Sequence, residues 1–122
     1  MSFKSPAISA VVAFTVAFAG AAHAQDESKA PVKIGLVLPF TGIFAVQAQE
    51  VLTGWELALA QRGGKVGGRP VQIVKEDNEL NVSLAVQKAN KLIQSDNVDI
   101  LAGIFNSSAA IALTDVAKKN QK

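Results

Sequence analysis

Hydrophobic and polar positions along this chain switch repeatedly between a strand-like run and a helical stripe. Val32 to Pro39 (V-K-I-G-L-V-L-P) is an aliphatic, β-branched run closed by proline, which predicts a buried strand. Phe40 to Val46 contains the turn pair Thr41-Gly42 and reads as a loop. From Gln47 to Arg62 the period changes: Leu52, Trp55 and Leu59 fall at helical spacing, and Gly63-Gly64 supply the stop. A glycine-rich connection over 65–69 leads to a second strand, Pro70 to Glu76, and Asp77-Asn78-Glu79 form a turn. Asn81 is placed to cap a helix running to about Gln94, with Val82, Ala85, Val86, Ala89, Leu92 and Ile93 as its apolar stripe. Val98 to Phe105 is the third strand, Asn106-Ser107-Ser108 a loop, and a third helix runs from about Ala109 toward Asn120.

The order is β-α-β-α-β-α. Strands alternating with helices predict an α/β fold of three layers, a parallel sheet with right-handed crossovers and helices on both faces. With strand order 2-1-3, the first and third strands leave the sheet on opposite sides, and a crevice opens beyond their C-terminal ends. No further strand follows the third helix, so the expectation is an incomplete doubly wound unit.

The first 24 residues lie outside this pattern. Lys4 provides a positive start, Ala7 to Ala19 is apolar except for Ser9 and Thr15, and Ala22-His23-Ala24 has the small-x-small form of a cleavage site. That run is too short to span a bilayer, which needs roughly 20 residues, and acidic Asp26 and Glu27 follow it. Residues 1–24 are therefore expected to be a cleaved export signal, with 25–31 a flexible leader and 32–122 the folded part.

Composition narrows the chemistry. The chain has 122 residues, 49% hydrophobic and 18% charged, which suits a folded protein. A net charge of +2 asks for no nucleic-acid partner. There is no cysteine, and the one histidine, His23, leaves with the signal. Disulfides, thiolate metal sites, a cysteine nucleophile and an imidazole base are thereby excluded from the mature chain. Gly63-Gly64-Lys65-Val66-Gly67-Gly68 is not a phosphate loop: no Ser or Thr follows Lys65, and it lies between a helix and a strand. Ser107-Ser108 lacks the nucleophile-elbow pattern. Glu76, Asp77 and Glu79 lack calcium-loop spacing and read as a solvated turn. No cofactor and no catalysis are expected.

What remains are binding features. Phe40, Phe44 and Phe105 lie in the two loops flanking the crevice, whereas Trp55 belongs to a helix stripe. Phenylalanines there suit an apolar or aromatic ligand body, although aromatic residues at strand ends also serve as lids over a sheet. Asn106-Ser107-Ser108 begin a helix, whose open amides and positive dipole end favour a carboxylate. Capping by Ser107 or Ser108 is the simpler role and is compatible with it. An apolar body site beside an anion hook would take a small organic acid or amino acid.

These segments also carry a family likeness. V-K-I-G-L-V-L-P-F-T-G at 32–42, L-T-G-W-E-L-A-L-A at 52–60, G-G-K-V-G-G-R-P-V at 63–71, E-D-N at 76–78, A-N-K-L-I at 89–93 and V-D-I-L-A-G at 98–103 before N-S-S carry it. In that order the chain resembles the N-terminal portion, a partial first lobe over 32–122, of periplasmic substrate-binding proteins of ABC transporters, in the leucine/isoleucine/valine-binding (type I) group. The resemblance implies two α/β lobes closing on a small ligand, delivery to a membrane permease, a periplasmic location and a monomer. It also implies that the loop holding Phe40, Thr41 and Phe44, and the segment Phe105, Asn106, Ser107 and Ser108, line the first lobe's cleft face, with a ligand carboxylate at Ser107. The family often has an aromatic and a glycine where this chain has Gln47-Ala48. The alternatives are a ligand-sensing receptor domain of the same fold and, against the missing catalytic residues, a small secreted flavodoxin-like enzyme.

Overall fold

The computed structural model describes residues 29–122. The expected export signal over 1–24 and residues 25–28 of the leader lie outside the described residues. Strand β1 (Val32–Leu38) is followed by a 3₁₀ turn (Gly42–Phe44) and helix α1 (Ala45–Gln61). Then come β2 (Lys65–Val66), β3 (Arg69–Asp77), α2 (Val82–Gln94), β4 (Ile100–Ala102) and α3 (Ser107–Asn120).

The sheet has the order β2-β3-β1-β4. β1 pairs in parallel with β3 from Val32↔Val71 to Leu38↔Asp77, and with β4 from Ile34↔Ile100 to Leu36↔Ala102. The three parallel strands thus take the 2-1-3 arrangement on which the crevice reading is conditional. β2 is an addition that the sequence pattern did not show. It pairs antiparallel with β3 through Lys65↔Pro70 and Val66↔Arg69. Gly67 and Gly68, both at positive φ, make the two-residue turn between them, a geometry that favours glycine. Two residues are too few for a hydrophobic period to register.

β1 alternates its side chains between two cores. Ile34, Leu36 and Leu38 face α1 and pack with Ala48 and Leu52, with Trp55 partly buried among them. Val37 faces the other way and joins Ala85, Ala89, Leu92 and Ile93 of α2, Val98, and Ala109 and Leu113 of α3. Helices therefore cover both faces, giving three layers. α2 approaches β1 closely: a Cβ added to Gly35 would stand 2.9 Å from Leu92 Cδ1. The expected stripe on α2 is its buried face, with Asn81 Oδ1 accepting from the Leu84 amide at 2.9 Å as its cap.

Three boundaries differ from expectation. The third strand keeps only Ile100–Ala102, because Val98 already turns into the α2 core and Gly103 adopts φ +77. α3 begins at Ser107, two residues early, and its cap is Asn106 rather than either serine. The first helix starts at Ala45, because the 3₁₀ turn has already wound much of the expected loop. The end of the leader is held: Arg69 donates to the carbonyls of Ala30, at 2.9 Å, and Pro31, at 3.3 Å.

Burial makes a direct prediction. Leu92 is fully buried, so Leu92→Ala is expected to lower stability by roughly 2–5 kcal/mol in urea unfolding. Leu57, 58% exposed on α1, is expected to tolerate alanine within about 0.5 kcal/mol.

Candidate ligand-binding site

Because β1 and β4 are adjacent and parallel, the segments after them emerge at the same end of the sheet. The Phe44 and Phe105 rings meet there, with centroids 4.9 Å apart and planes tilted by 46°. Such a pair adds roughly 0.5–1.5 kcal/mol beyond its area and fixes one loop against the other. Both rings remain partly exposed. Phe105 also packs against the Ile34–Leu36–Leu38 core, and Phe40 joins it there without meeting either ring. Phe40 lies under the Lys75 ammonium, which is 5.7 Å from its ring centroid. Of the three phenylalanines, Phe44 and Phe105 form the joined pair, and Phe40 fits the description of a lid over the sheet.

The start of α3 is the polar component. Asn106 Oδ1 accepts from the Ala109 amide at 2.7 Å, and the Ala110 amide donates to the Asn106 carbonyl at 3.0 Å. Capping by Asn106 leaves both serine hydroxyls free of that task. Ser107 and Ser108 are exposed, and their amides precede the first carbonyl that the helix can offer them. Positive dipole end, open amides and two hydroxyls together attract an anion. Gly103, at φ +77 between β4 and this segment, lets the chain turn beside Leu36 and Leu38, whose side chains a Cβ there would meet at 3.2 Å. Thr41 is exposed at the start of the 3₁₀ turn and makes no side-chain cap.

The acidic cluster after the second strand is not the solvated turn expected of it. Period-two alternation sends Glu76 and Asp77 to opposite faces of β3. Glu76 pairs with Lys88 at 2.8 Å and with Lys91, which also reaches Asp96 at 3.2 Å. Hydrogen bonds from Lys88 and then Lys91 hold its carboxyl below the ordinary 4.5, against the effect of burial. Asp77 lies beside Leu38 in register and accepts from the Glu79 amide at 2.9 Å. Burial raises its pKa, but the Glu79 amide, the Thr41 hydroxyl and the Phe40 and Thr41 amides together bring it below 3.8. No group of acids or histidines suited to a metal occurs among the described residues.

Two shallow grooves flank α1, one lined by Ala45, Val46, Gln49, Glu50 and Thr53 and the other by Val51, Gly54, Trp55 and Ala58. Neither includes Phe40, Thr41, Phe44 or any of residues 105–108. They arise because α1 is the one helix on its face among the described residues. Ala48, where the family often differs, is fully buried against the sheet.

A family profile described as periplasmic binding protein matches residues 31–122, so the chain belongs to that family, one of binding proteins rather than enzymes. A Leu/Ile/Val-binding protein homolog 6 from Brucella abortus is 32% identical over 117 residues, covering 95% of this chain and 28% of that protein. Among solved structures, an ABC transporter substrate-binding protein from Sphaerobacter thermophilus matches with a TM-score of 0.69 at 36% identity, over 75% of this chain and 24% of its own. A solute-binding protein from R. palustris in complex with benzoate matches with a TM-score of 0.70 at 37% identity, over 74% and 25%. The chain spans about a quarter of the length of these relatives. The fold class read from the sequence, and the family it resembled, are those found.

The Glu76 cluster sets an acid limb. A carboxylate with a depressed folded pKa contributes stability above its unfolded value, and that contribution is lost as pH falls through the folded one. Glu76→Gln is expected to flatten the stability profile below about pH 4.5. Chemical denaturation at a series of pH values measures it; an unchanged acid limb would show that the lysine pairing adds nothing.

Proposed function

We propose that the chain is part of the first lobe of an ABC-transporter solute-binding protein that captures a small organic carboxylate. The observation carrying this reading is the Phe44–Phe105 pair standing at the same sheet end as the open start of α3. A carboxylate would sit at the Ser107 and Ser108 amides and hydroxyls, and an apolar or aromatic body would lie against the phenylalanine pair. Thr41 and Asn106 would frame the polar rim, with Phe40 supporting the loop from the core side. Aromatic acids are favoured by the two rings and by the benzoate bound to the R. palustris relative. Branched-chain amino acids are the second choice, supported by the Leu/Ile/Val-binding relative. Export by residues 1–24, action in the periplasm as a monomer and delivery to a membrane permease complete the proposal.

One cleft face supplies few opposing contacts and excludes little water, so binding by these 122 residues alone is expected to be weak, about millimolar. Adding benzoate to the ¹⁵N-labelled chain should shift the Ser107 and Ser108 amides, and Ser107→Ala should reduce the effect. Saturation of those amides by benzyl alcohol as readily as by benzoate would contradict a carboxylate site. For the export half of the proposal, the intact mass of the protein recovered from periplasmic extract should correspond to an N-terminus at Gln25. Retention of Met1 through Ala24 would contradict it.

A further inference from the structure

β4 and the segment after it do not keep a single alternation. Leu101 packs into the α2 core and Ala102 into the α1 core, as neighbours on a strand do. Continued unbroken, that period would send residues 103 and 105 to the α2 side with Leu101. Phe105 instead packs with Ile34, Leu36 and Leu38 on the α1 side, and its ring reaches Phe44 there. Ile104, between them, is 38% exposed. The alternation has slipped by one residue between Ala102 and Phe105, and a slip of one exchanges the faces of everything that follows.

Gly103 is where the slip occurs. Its φ of +77 lies in the left-handed region, which residues bearing a β-carbon resist. A Cβ built there would stand 3.2 Å from Leu36 Cδ2 and from Leu38 Cγ, so it would point into the α1 core, as the Ala102 side chain already does. Leu36 and Leu38 are inaccessible and packed with Ala48 and Leu52, so neither has room to withdraw from an added methyl group. The other positive-φ glycines among the described residues, Gly42, Gly63, Gly64, Gly67 and Gly68, would meet nothing within 4 Å. Their turns need only backbone freedom. Gly103 must also lack a side chain.

We infer that Gly103 is a positioning residue: its turn transfers Phe105 from the α2 side of the sheet to the α1 side and so sets it against Phe44. The same turn fixes where Asn106 caps α3, 2.7 Å from the Ala109 amide, and hence where the Ser107 and Ser108 amides open. Ring and helix start are placed together by one glycine. A residue at 103 that prefers negative φ restores the strand alternation and carries Phe105 away from Phe44. Gly103 itself touches no ligand. What its turn does for a carboxylate rests on the proposed binding function, whereas the turn stands on the contacts.

The test compares Gly103→Ala with Gly67→Ala in the full 122-residue chain. Gly67 has φ +57 in the hairpin before β3, at the other end of the sheet, and a Cβ there meets nothing. Gly67→Ala therefore carries the backbone strain without the clash. Gly103→Ala is expected to lose the Overhauser contacts between the Phe44 and Phe105 rings, and the shifts that benzoate induces at Ser107 and Ser108 should be lost with them. Gly67→Ala should keep both. Ring contacts retained in Gly103→Ala, or lost equally in Gly67→Ala, would overturn the positioning role. The wild-type chain gives a check that needs no variant to fold: the Gly103 α-protons should show contacts to the methyl groups of Leu36 and Leu38, and their absence would overturn the role as well. Benzoate without effect on wild-type Ser107 and Ser108 sinks the binding function, while the role of Gly103 is decided by the ring contacts alone.

Discussion

Everything in this lobe depends on β1 being buried on both faces between two parallel partners. Leu36, Val37 and Leu38 are almost wholly inaccessible, and alternation forces neighbours in that run into different cores. A strand of that kind needs a helix layer on each side. α1 covers one face, and α2 with α3 covers the other. Parallel pairing then carries the chain out at the same end after β1 and after β4. The meeting of those two segments is a consequence of that topology before any side chain contributes to it.

The side chains at the strand ends divide the work between packing and exposure. Phe40 and Phe105 both pack on the core, and Phe44 closes on Phe105. Asn106 takes the capping duty and leaves Ser107 and Ser108 open. On β3, alternation separates Glu76 from Asp77, so one acid ties the strand to α2 while the other accepts from the Glu79 amide in the turn that follows. The same period-two geometry that builds the cores therefore arranges the electrostatics around the site.

The elements with a long period were legible in the sequence. The α2 stripe, the Asn81 cap and the parallel order of the three main strands are all present as read. Features decided by one or two residues were not. β2 is two residues long, and its signal was only the paired glycines of a turn. The Asn106 cap was hidden because asparagine and serine are both good caps and stood side by side. The acids at 76–79 read as a solvated turn because a turn signal says nothing about which face of the preceding strand each acid occupies. Phe40 and Phe44 are alike in sequence, and only packing distinguishes the lid from the partner of Phe105.

If the ends of β1 and β4 form a carboxylate site, a bound carboxylate must be found there. Isotope-filtered Overhauser contacts from ¹³C-labelled benzoate would place the molecule on the surface of the chain. Contacts to the rings of Phe44 and Phe105 together with the β-protons of Ser107 or Ser108 are expected. Contacts confined to Val46 and Thr53, or to Trp55 and Ala58, would put the ligand in the grooves beside α1 and contradict it.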